Sequence, residues 1–107
     1  MKTAAVLAAA AQCFAAADQS LRAGDGNEAI RARLEACLPL PGAMACYEET
    51  LWAASFFASR RGGLALERAQ RGYPSAFEGL IEEVYRSDKE EDAFRRDLFL
   101  ACIGNRP

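Results

Sequence analysis

Ala43–Arg60 reads AMACYEETLWAASFFASR, and the fold of the chain turns on it. It holds the only Trp, two of the six Phe and one of the four Cys. Glu48 and Glu49 lie in its first half, and Arg60 and Arg61 close it. That order suits a helix, whose aligned peptide dipoles favour negative charge near the start and positive charge at the end. On a 3.6-residue period, Met44, Tyr47, Leu51, Ala54 and Ala58 form one apolar stripe, so Tyr47 and Leu51 are expected in the core. Trp52 and Phe56 form a second stripe, while Cys46, Ala53 and Phe57 lie on a third side. A helix apolar on most sides is surrounded by its own domain or shares a face with another chain.

Outward from this helix, glycine and proline divide the chain. PLPG at Pro39–Gly42 forces a turn before it, and Gly62-Gly63 stops it. Upstream, Ile30, Leu34, Cys37 and Leu38 space as one buried stripe, with Asp25 and Glu28 placed as a capping box. Downstream, a short helix is expected over Leu64–Arg71. After Gly72-Tyr73-Pro74, Ser75 with Glu78 opens a helix carrying Phe77, Leu80, Ile81, Val84 and Tyr85. Ser87 with Glu90 opens a last one, whose inward residues are Phe94, Leu98, Ala101 and Cys102, with Gly104 just past its end. No stretch alternates with period two. The expected fold is all-α: one domain over residues 1–107, a bundle of about five longer helices and one short helix.

Met1–Ala17, MKTAAVLAAAAQCFAAA, has two readings. Lys2, the apolar run and the small residues before Asp18 fit a cleaved signal peptide. Val6, Ala10, Cys13, Phe14, Ala17 and Leu21 also fit one helix face, which continues past the cleavage point to an Asp18–Arg22 pair. The retained helix is the favoured reading, and the run by itself is too short for a transmembrane span.

At 107 residues, with 26% charged residues and a net charge of −2, the chain has ordinary globular composition. It contains no histidine, which removes the usual general base and the commonest metal ligand together. Glu67–Arg71, Glu82–Arg86, Glu91–Arg95 and Asp92–Arg96 stand four apart, acid first, and read as solvated ion pairs rather than a catalytic set. The four cysteines show no C-x-x-C spacing. Each falls on or beside an apolar stripe, so buried reduced thiols are expected, a Cys37–Cys46 disulfide across the proline turn being the alternative.

Phosphate loops, dinucleotide fingerprints and nucleophile elbows are missing from the sequence. Arg60–Gly72 is net +3, four Arg against Glu67, but the chain as a whole is acidic, which disfavours nucleic acid. These features point to a non-enzymatic protein that works by contact, a regulator or inhibitor of the kind found among small Ala- and Arg-rich bacterial or phage proteins. No catalytic residue, metal ligand or cofactor is expected. The expected partner is another protein or a second copy of the chain, with no membrane or nucleic acid involved. The expected contact residues are Trp52, Phe56, Arg60, Arg61 and Glu49, because an aromatic pair with a polar border resembles an interface. The expected location is cytoplasmic. The alternatives are a periplasmic immunity-type protein lacking residues 1–17, and a helical small-ligand carrier or enzyme.

Overall fold

The computed structural model describes residues 3–105; Met1 and Lys2, the start of the leader reading, lie outside them. Six α-helices follow in order: α1 (Ala4–Arg22), α2 (Asn27–Cys37), α3 (Ala43–Arg61), α4 (Leu66–Arg71), α5 (Glu78–Arg86) and α6 (Glu91–Gly104). A 3-10 turn at Ser75–Phe77 leads directly into α5, and no strand occurs among the described residues. The all-α bundle expected from periodicity is the fold.

Two glycines end long helices in the same way. At the end of α3, Gly63 N–H donates to Arg60 O and Leu64 N–H to Ser59 O, the paired closure of a Schellman motif. Gly63 takes φ +82°, where a side chain would be strained. At the end of α1, Gly24 N–H donates to Leu21 O and Asp25 N–H to Ser20 O. Ser20 Oγ then donates to the Asp25 carboxylate, so Asp25 closes α1 and does not cap α2. The capping box expected there is therefore not made. Neither of the other two forms: Ser75 lies in the 3-10 turn, and Ser87 Oγ accepts from Lys89 N–H while Glu90 stands at the N-cap of α6.

α6 runs antiparallel to α3 and packs along its length. Cys46, near the start of α3, is bonded to Cys102 near the end of α6, and Phe57 meets Phe94 at the other end with centroids 5.3 Å apart. α1 lies on the other flank of α6, where Phe14 meets Phe99 at 5.3 Å. The core has two parts. One joins α1, α2, the first half of α3 and the end of α6 around Tyr47, Ile30, Leu34, Phe99 and Ile103. The other joins the second half of α3 to α4, α5 and the start of α6 around Phe56, Phe57, Ile81 and Val84.

The buried face of α3 differs from the expected stripe. Tyr47 is fully buried as expected, but Leu51 is only half-buried and Ala58 is exposed. The core line runs through Cys46, Thr50, Ala53 and Phe57. Thr50 disguises it, since its type is polar yet its side chain is wholly enclosed. In α6 the fully enclosed line is Arg95, Phe99 and Ile103; Ala101 is exposed. Phe94 and Leu98 serve the second core part from one side of that line.

The cysteine expectation is corrected outright. All four are oxidised, as Cys13–Cys37 and Cys46–Cys102, with Cα separations of 5.6 and 5.7 Å. The first staples α1 to α2, the second α3 to α6. The Cys37–Cys46 alternative does not occur either, because Cys37 ends α2 against α1 while Cys46 points into the core toward α6.

α1 spans 19 residues and is long and apolar enough to cross a membrane by length and composition, which the expectation for Met1–Ala17 alone did not allow. In this structure its Ala10, Cys13, Phe14 and Ala17 face packs inward.

Candidate functional site

The second half of α3 contributes Trp52 and Phe56 to an aromatic cluster that the second core part brings to the surface. Phe56 is its floor, at 0% exposure. Tyr73, from the turn after α4, meets Phe56 edge-on at 5.0 Å, and Phe77, from the 3-10 turn, lies 6.0 Å away. Trp52 stands at the rim, 4.8 Å from the Phe77 ring and 6.4 Å from Phe56. Its 43% exposure makes it the most exposed large hydrophobic side chain among the described residues. Aromatic pairs in these geometries add about 0.5–1.5 kcal/mol each beyond burial, so the rim indole rests on a rigid support.

Beyond the indole lies a shallow pocket of about 270 Å³, lined by Asn27, Glu48, Leu51, Trp52 and Ser55. Glu48 stands one turn before Trp52 on the same helix side, and Asn27 is the first residue of α2. Trp52 thus stands between an aromatic cluster and a hollow of mixed polar and apolar lining.

The other expected contact residues do not gather here. Phe56 supports Trp52 from below and presents no surface. Arg60 spans to the end of α5, donating to the carbonyls of Val84 and Ser87 at 2.9 and 3.0 Å, with its guanidinium 5.9 Å from the Phe57 ring. It thereby caps the α5 C-terminus. Arg61 bonds Glu91 at 2.6 Å and ties α3 to the start of α6. Glu49 lies in a different groove, of about 480 Å³, with Glu83, Leu98 and Asn105. Of the five, only Trp52 combines an apolar side chain with an open face.

A second constellation escaped the sequence reading entirely. Arg95 is buried and grips Asp18 with two bonds, Nη1 to Oδ2 at 3.0 Å and Nη2 to Oδ1 at 2.8 Å. Its Nε donates to Thr50 O at 3.1 Å and its Nη2 reaches Thr50 Oγ1 at 3.3 Å. Tyr47 Oη donates to Asp18 Oδ1 at 2.7 Å, and Thr50 Oγ1 donates to Tyr47 O at 2.6 Å. The Arg95 guanidinium lies 5.3 Å from the Phe14 ring centre. Burial, then the bond to Asp18, hold the Tyr47 hydroxyl far above the usual tyrosine range. Burial alone would lower Arg95, but the bond to Asp18 outweighs it and leaves its proton held more tightly than usual. Every buried side-chain polar atom among the described residues has a partner, so this is a finished structural joint.

The i,i+4 reading of these charges is largely overturned. Arg95 serves Asp18 in place of Glu91, and Arg22 bonds Asp92 at 3.0 Å while standing 3.9 Å from Asp18. Glu82–Arg86, at 3.1 Å, forms as expected. One signal was available: Arg95, Phe99 and Ile103 stand four apart, which puts a lone cation on an apolar line. No group of three potential metal ligands gathers among the described residues. No protein-family model matches the chain, and no characterised protein or solved structure matches it either.

Proposed function

We propose that the chain is a small non-enzymatic protein-binding module, a regulator or inhibitor that engages its partner through the surface around Trp52. The observation that supports this reading is a half-exposed indole held on a buried aromatic floor in a disulfide-stapled frame. Trp is among the side chains that most often dominate binding energy, and a preordered anchor loses little freedom on association. Asn27, Glu48 and Ser55 around the hollow on one side and the aromatic cluster on the other supply a polar rim and a dry centre.

The two disulfides favour work in an oxidising compartment over the cytoplasmic location expected from the sequence. They also weigh against removal of residues 1–17, which would take Cys13 and strand Cys37. The proposed active form is therefore the oxidised chain with α1 in place.

The test compares wild type, Trp52→Ala and the control Arg33→Ala as bait, alongside sedimentation of each alone. The proposal expects partner capture or self-association to fall tenfold or more, on the order of a hot-spot loss, only in Trp52→Ala. Equal association by all three folded proteins refutes it.

A further inference from the structure

We propose that the hollow beside Trp52 is a subsite for one arginine side chain of the partner protein. The proposal rests on the Trp52 surface being the interface, and adds what that surface selects. Three features of the hollow bear on it. Glu48 makes no ion pair among the described residues, although Arg31 shares a neighbouring pocket with it. Its carboxylate is therefore an exposed negative charge at the pocket wall with no cationic side chain in ion-pair contact among the described residues. The indole of Trp52 contributes the aromatic surface that attracts cations most strongly, and Phe77, Phe56 and Tyr73 hold it from the cluster side. Asn27 and Ser55 add a side-chain amide and a hydroxyl, each able to accept a hydrogen bond from a cation.

Arginine fits this set better than lysine. Its guanidinium is planar, stacks on an aromatic face, is weakly hydrated and presents a fork of N–H groups to a carboxylate. Ammonium would satisfy Glu48 but would gain less from the indole and lose more hydration. The start of α2, with its partial positive charge, adjoins the hollow through Asn27, and Glu28 in the first turn offsets it. Leu51, half-buried at the same wall, can cover the aliphatic stem of the arginine.

The experiment titrates the full oxidised chain with acetyl-arginine N-methylamide and with its uncharged citrulline counterpart, following the Trp52 indole N–H by NMR. Trp52 is the only Trp, so that resonance is unambiguous. The expected result is saturable movement with arginine, about fivefold weaker binding of citrulline, and a similar loss for arginine in Glu48→Gln. Equal binding of the two probes, or binding of arginine unchanged by Glu48→Gln, overturns the subsite. The two readings fail separately. If a partner association lost in Trp52→Ala is indifferent to Glu48→Gln, the interface stands and the subsite falls. If arginine binds as expected while Trp52→Ala leaves partner association unchanged, the hollow binds arginine but the interface reading falls, and with it the assignment to a partner's side chain.

Discussion

Replacing Arg95 by Met tests the joint that holds the first core part together. Arg95 is 4% exposed, and four of its N–H bonds end on Asp18 and Thr50. Met fills comparable volume, so the change removes charge and hydrogen bonds with little cavity. The Asp18 carboxylate, itself buried, keeps Tyr47 Oη as its one close donor, and Arg22 remains 3.9 Å away at the surface. Breaking a buried pair from one side costs about 3–5 kcal/mol, because the surviving charge is left without compensation. Against a total stability of about 5–15 kcal/mol for a domain, that is a large share. At roughly 4–8 °C per kcal/mol, the midpoint should fall by at least about 12 °C. The assays are thermal and urea unfolding of the oxidised wild type, Arg95→Met, Asp18→Leu and Asp18→Leu/Arg95→Met. Removing both charges should recover much of the loss, leaving about 1–3 kcal/mol for the stranded Tyr47 hydroxyl. A cost below about 1 kcal/mol for Arg95→Met would refute the argument, as would a double variant as unstable as the sum of the singles.

Other outcomes follow from the same structure. Reducing the disulfides should destabilise the chain: for loops with sequence separations of 24 and 56, the chain-entropy estimate is about 3.5 and 4 kcal/mol. A midpoint unmoved by reductant would show that neither bridge matters. Tyr47 has a folded pKa raised above its ordinary 10.0, so its contribution is complete below that pH and is lost as pH rises above it. Phenolate absorbance should therefore show Tyr47 ionising only together with alkaline unfolding, and ionisation in the folded protein near pH 10 would contradict its enclosure. Phe56→Ala, at a fully buried site, should cost about 3–5 kcal/mol, whereas Trp52→Ala, half in solvent, should cost much less. Equal losses by denaturant titration would place Trp52 in the core.

Much of this molecule is decided locally. The 3.6-residue spacing of apolar side chains and the breaks at Gly24, Gly42 and Gly63 specify helices and their ends without reference to distant residues, because helical hydrogen bonds and left-handed turns are short-range. The aromatic identity of Trp52 and Phe56 was legible for the same reason, as was their place on one side of α3. Which of the two meets water was not. That depends on Tyr73 and Phe77, carried over Phe56 by turns whose path no periodicity predicts. Arg60 and Arg61 looked like a surface pair until α5 and α6 supplied carbonyls and Glu91. Pairing of Cys46 with Cys102, and of Asp18 with Arg95 across 77 positions, likewise follows from antiparallel packing of α6 against α3 and α1, and that of Cys13 with Cys37 from the docking of α2 on α1. A charge or thiol on a helix carries no sequence mark of its partner when that partner lies on another helix. Helix periodicity determined the elements, and only their docking decided which polar groups met.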